Sequence, residues 1–141
     1  MGKIDLGRVI FGGIVAGIVI NAFETVLNTV VLGHQWTDLM ASINRPALGQ
    51  NQIIAFYVMG FAQGLIAVWT YAAIRPRFGV GPKTAVIAAL LTWVTAYVLV
   101  DVNPMLIHVF TPAIAFTLIG VGLIEIIAAT LAGAYFYKEA A

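Results

Sequence analysis

Two carboxylic acids, Glu24 and Glu125, stand inside apolar runs long enough to cross a bilayer. An ionisable group at that depth is costly against lipid, so each must look into protein or trapped water. Glu24 keeps company with Asn21, Thr25 and Asn28. At about 100° per residue these side chains share an arc of about 100°, and Gly13 and Gly17 extend the same face. No Lys, Arg or His falls in the interior of an apolar run, so neither glutamate has a basic partner there. A carboxyl in such surroundings is expected to be neutral and hydrogen-bonded to Asn, Gln, Thr or Tyr, or else neutralised by a bound cation.

The candidate site is therefore a column of polar side chains: Asn21, Glu24, Asn28, Gln63, Thr92, Thr95, Tyr97 and Glu125. At about 1.5 Å per residue, Asn21, Gln63 and Thr95 fall near the middle of their spans, with Glu125 and Thr92 slightly toward the terminal side. Glu24 and Tyr97 fall toward the other side, and Asn28 and Asp101 close to its interface. Such a column can hold a bundle together through hydrogen bonds, as in a structural or accessory membrane protein that docks a partner. It can also be a proton, cation or small-solute site built on the two glutamates. A second, separate constellation is His34 and His108 near Asp38 and Asp101, which would become a metal or pH-sensing site if their loops meet. The sequence holds no nucleophile–base pair, phosphate-binding glycine loop or HExxH motif, so neither an enzyme nor a cofactor is expected.

The elements that position these residues follow from composition. Of 141 residues 62% are hydrophobic and 9% charged, more apolar surface than a soluble domain of this size can hide. Mean hydropathy is +1.00. An all-α integral membrane four-helix bundle in a single domain accommodates it, with lipid as the outer partner. The net charge of +1 leaves no nucleic-acid footprint, and the absence of cysteine excludes disulfides and thiolate metal sites.

Breaks in the apolar pattern place spans at about 8–32, 52–74, 84–100 and 113–137. Arg75-Pro76 stops the second, Pro82 opens the third, Asp101 ends it, and Thr111-Pro112 caps the fourth, which closes before Lys138 and Glu139. The first run is too long for a signal peptide and is read as a retained span. Lys3, Arg8, Arg75, Arg77, Lys83 and Lys138 share the side of the termini, and Arg45 alone lies opposite, so both termini are expected to be cytoplasmic. Tyr135, Tyr137 and Trp36 fit interfacial anchoring.

The outer connections differ. Trp36, Leu39, Met40 and Ile43 recur at i, i+3, i+4 and i+7, which predicts a short interfacial helix ended by Asn44-Arg45-Pro46. Asp101 to Thr111 is itself apolar and is either a plain loop or a cover over the bundle mouth. A shift of 60 aligns Ala55-Phe56, Gly60, Ile66, Thr70 and Ala72 with Ala115-Phe116, Gly120, Ile126, Thr130 and Ala132, a pattern consistent with two tandem helical hairpins.

Helical phase gives each span an inward face rich in small residues. The second presents Phe56, Gly60, Gln63, Gly64, Ala67 and Tyr71, and the third Ala85, Ala88, Thr92, Thr95, Ala96 and Leu99. In the fourth, Val121, Gly122, Ala128, Ala129 and Ala132 surround Glu125. The Gly-rich first span, His34-Gln35-Trp36, the turn Phe78-Gly79-Val80-Gly81 and the acid and Gly133 of the fourth span resemble the small uncharacterised four-helix membrane proteins common in bacteria. That resemblance implies an inner-membrane location and no known activity. The lipid bilayer is the one expected partner, and assembly as a homo-oligomer or within a larger membrane complex is compatible with the pattern.

Overall fold

A computed structural model describes residues 3–138. Every regular element among them is helical: α1 (Leu6–Val26), α2 (Gly33–Ser42), α3 (Gln50–Phe78), α4 (Pro82–Trp93), α5 (Leu99–Leu106) and α6 (Pro112–Phe136). Two π-helical turns interrupt the series, Leu27–Val31 after α1 and Val94–Val98 between α4 and α5. Four helical stretches are long and apolar enough to cross a membrane, Leu6–Val31, Gln50–Phe78, Pro82–Leu106 and Pro112–Phe136. The all-α four-helix membrane bundle is therefore what the chain forms.

Local chemistry explains the helix ends. Asp5 caps α1 by accepting from the Arg8 N–H at 3.1 Å, and its other oxygen meets the Arg8 guanidinium at 3.2 Å. Thr111 caps α6 in the same way, accepting from Ile114, with Pro112 in the first turn. Gly79 ends α3 at φ +88°, and its N–H bonds the Arg75 carbonyl. Glu139, expected to help close the last span, lies outside the described residues.

Two boundaries differ from the sequence pattern. The second span does not stop at Ile74: α3 runs through Pro76 to Phe78. A proline this near the helix end forfeits one backbone bond and bends little else. The third span does not stop at Val100: the helix carries Asp101 and Pro104 and ends at Leu106. The apolar connection is thus mostly helix, and Asp101 lies about 8 Å inside the helix end.

In the bundle α1 packs between α3 and α6, and α4 packs on the other side of the same two helices. Gly64 marks the closest approach of backbone to backbone in the α1–α3 seam. A Cβ there would sit 2.5 Å from the Gly17 nitrogen and 2.6 Å from the Gly13 carbonyl oxygen, so only glycine permits this backbone approach. The end that carries both termini is tied together by aromatic rings. Tyr71 and Tyr137 meet edge to face at 6.0 Å, the Arg75 guanidinium lies 5.4 Å from the Tyr137 ring centre, and the Asp5 N–H donates to the Tyr137 hydroxyl. Tyr137 is buried, a correction to its reading as an interfacial anchor, whereas Tyr135 is exposed. At the distal end the interfacial helix forms as α2, and Trp36 contacts Phe110 at 5.6 Å, so the two distal connections meet.

The internal repeat is not carried into matching environments. Gly60 faces Asn21 whereas Gly120 has open space beside it, and Ile66 is exposed whereas Ile126 is fully buried. Similar small-residue spacing in α3 and α6 accounts for the likeness.

Candidate functional site

Each of the four spans sends one polar side chain to a common region inside the bundle: Glu24, Gln63, Tyr97 and Glu125. Glu125 is the deepest, with no exposed surface. The Tyr97 hydroxyl donates to its Oε1 at 2.5 Å. Its Oε2 is buried and has no hydrogen-bond partner. Glu24 lies near Glu125, but among the described residues no hydrogen bond joins the two acids. Gln63 lies near the Tyr97 hydroxyl, and its buried Nε2 has no hydrogen-bond partner.

The π turns aim these groups. A π turn bonds i to i+5, as Leu32 does to the Leu27 carbonyl, and so inserts an extra residue into the helical phase. In the third span the inward line would run from Thr92 through Thr95 to Leu99. After the inserted residue it runs from Thr92 through Tyr97 to Asp101. Thr95 and Leu99, assigned to the inward face by regular phase, are accordingly exposed, Leu99 by 57%. Gly122 makes room for the displaced side chain, because a Cβ there would collide with the Tyr97 ring. Asn28, in the other π turn, meets Glu24 at ordinary i, i+4 spacing.

A continuous relay follows on the distal side. The Trp36 indole N–H donates to Asn28 Oδ1 at 2.8 Å, and Asn28 Nδ2 donates to Glu24 Oε2 at 2.6 Å and to the Glu24 carbonyl at 2.8 Å. Glu24 then faces Glu125, which Tyr97 holds from the far side. Trp36 is therefore part of the polar column and not only an anchor. Asp101 follows Tyr97 by one helical turn on the same face and is half-buried.

The remaining candidates do other work. Asn21 donates to the Tyr57 carbonyl at 3.1 Å, and Thr25 shares a 2.8 Å bond with the Tyr57 hydroxyl, so this pair fastens α1 to α3. Thr92 and Thr95 bond carbonyls of their own helix, those of Ala88 and Leu91. Phe56, expected to point inward, is 57% exposed, because α3 parts from the third span at that level. His34 and His108 are both exposed. Among the described residues no three His, Asp or Glu side chains converge as metal ligands would.

Two surface grooves, of about 370 and 250 Å³, are lined by apolar residues such as Phe23, Val26 and Val121 in one and Leu65 and Trp69 in the other. Neither is lined by a carboxyl. The chain matches no protein-family profile, and neither a curated protein nor a solved structure is detectably similar to it.

Proposed function

We propose that this chain is a proton-linked integral membrane protein, binding or transporting a small solute through the Glu24–Glu125 pair. The observation that carries the reading is the state of Glu125 Oε2: sealed from solvent, without a donor, and set against a second carboxyl. A seam whose only task is packing satisfies each buried polar atom, because an orphan costs about 1–3 kcal/mol. Here the missing partner is supplied by a proton between the two acids or by a cation. In this reading the two acids share one proton, since two carboxylates near each other inside the bundle would repel. The Trp36 and Asn28 N–H groups both donate toward Glu24 and so favour charge on its carboxyl once that proton leaves.

The membrane setting completes the reading. With six basic residues at the terminal end against Arg45 at the other, both termini are cytoplasmic and the chain is a multi-pass protein of the cytoplasmic membrane. A second reading is favoured by the apolar grooves and by the number of seam groups already tied to backbone. In it the column is structural, and the protein is an accessory subunit that docks a partner.

Infrared spectroscopy of the purified chain decides the first step. Near neutral pH the wild type should show the stretch of a protonated, buried carboxyl, diminished in Glu125→Gln. Liposomes carrying the wild type should pass protons under an imposed potential, and those carrying Glu125→Gln should not. A wild type without the protonated band overturns the proton-linked reading. A band without proton flux favours the structural one.

A further inference from the structure

Two buried polar atoms beside Tyr97 lack a hydrogen-bond partner, and they are of opposite kinds. Gln63 Nε2 has hydrogens to give, and Glu125 Oε2 has lone pairs to receive them. Both stand next to one hydroxyl. Tyr97 donates to the other oxygen of the Glu125 carboxyl, and Gln63 lies near the Tyr97 oxygen. Yet neither orphan meets the other directly. The helices that carry them supply the reason. α3 packs on Pro82–Trp93 but hardly touches the π turn Val94–Val98, so at the level of Tyr97 the two backbones stand apart. The Gln63 side chain has to reach across that space.

The surrounding groups fix which side of the Gln63 amide faces inward. Tyr97 gives its single proton to Glu125, so its oxygen can only accept there. The carboxyl oxygens are acceptors too, and the amide therefore presents its N–H side. A metal ion would meet Oε2 but be repelled by those hydrogens. Among the described residues no three His, Asp or Glu side chains converge to hold one. An anion is kept out by the carboxyls. A proton shared between Glu125 and Glu24 meets Oε2 but leaves Gln63 unanswered. A water molecule meets both: it accepts from Gln63 and donates to Oε2, whose second lone pair stays free for the shared proton. One water bonded at both ends bridges up to about 5.7 Å. Its other hydrogen can turn to the Tyr97 oxygen, giving the roughly three bonds usual for a buried water.

We propose that Gln63, Tyr97 and Glu125 bind one resident water molecule, oriented with a hydrogen toward Glu125 Oε2. The site stands by itself, and its role rests on the proton-linked reading. In that reading the charge left on Glu125 after proton release is met at both oxygens by donors already in place, Tyr97 at Oε1 and the water at Oε2. Gln63 is a positioning residue: by occupying a lone pair of the water it keeps the water's hydrogens turned toward the acid.

The test is a structure of the full chain crystallised from a lipid mesophase, at a resolution that shows ordered water. One density peak should lie within about 2.7–3.2 Å of both Gln63 Nε2 and Glu125 Oε2. Gln63→Met, similar in length but without a donor, should lose that peak. In liposomes Gln63→Met should keep the protonated-carboxyl band and pass protons about tenfold more slowly than the wild type, because the released charge loses a donor. Should Gln63→Met fail to fold, Gln63→Leu takes its place in both measurements.

A direct protein partner for Gln63 Nε2 in place of the peak overturns the inference, as does a peak that survives the loss of the amide. Proton flux unchanged in Gln63→Met overturns the role given to the water. If the carboxyl band and wild-type flux are present without the water, this site fails and the proton-linked reading stands. If the water is present without band or flux, the proton-linked reading falls and the site stands.

Discussion

Tyr97 and Glu125 come together only because the third transmembrane helix contains a π turn. The hydroxyl and carboxyl oxygens are 2.5 Å apart, and an unbroken α-helix would have turned Thr95 and Leu99 inward instead. Tyr97 is thereby the one hydrogen-bond donor to the deepest acid among the described residues.

Replacing Tyr97 by Phe should leave Glu125 without that donor while preserving the ring that fills the space beside Gly122. The expected loss is about 1–3 kcal/mol of stability, read as a lower midpoint in thermal unfolding. Glu125→Gln should fold with a midpoint near the wild type, because the amide can still accept from the tyrosine. The reverse order of the two midpoints would mean that the bond contributes nothing.

The distal relay gives a second prediction. Trp36→Phe keeps the edge contact with Phe110 but deletes the indole N–H bonded to Asn28. The cost should be about 0.5–1.5 kcal/mol, and the carboxyl band of Glu24 should shift as Asn28 is freed. An unmoved band would break the relay at its first step.

Backbone proximity gives a third. Gly64→Leu should be strongly destabilising, because its Cβ would meet the Gly13 and Gly17 backbone. Gly120→Leu should be tolerated, because nothing lies within 4 Å of its Cβ position. Thermal stability in detergent compares the two directly, and equal midpoints would show that the α1–α3 seam is not the tight one.

Orientation is tested by single cysteines at Ser42 and Val80, both exposed and at opposite ends of the bundle. In intact cells an impermeant maleimide should label position 42 and spare position 80. Labelling of position 80 alone would invert the topology.

Amino-acid order by itself determined the class, the number of spans and the identity of the two acids. Apolar length and loop charge are one-dimensional properties, and a carboxyl within an apolar run must turn inward whatever its neighbours are. Regular phase was enough to place Gly13, Gly17, Gly60, Gly64, Ala67 and Ala88 at helix contacts, since those faces lie where the helices stay α-helical. The capping residues Asp5 and Thr111 act over a few residues.

Tertiary structure decided the rest of the site. Counting from the ends of the apolar runs put Asp101 at a span end, but the helix continues to Leu106, and Tyr137, read as an interfacial anchor, is buried among its neighbours. A π turn carries no dependable residue signature: it is retained because packing of the extra residue outweighs the weaker local geometry, and each residue beyond it is rotated. That rotation removed Thr95 and Leu99 from the interior and brought in Tyr97 and Asp101. The Trp36–Asn28 bond depended on where a surface helix docks, and the nearness of Glu24 to Glu125 on which spans are neighbours. Both are settled by the fit of four helices against one another, which the order of residues along any one of them does not contain.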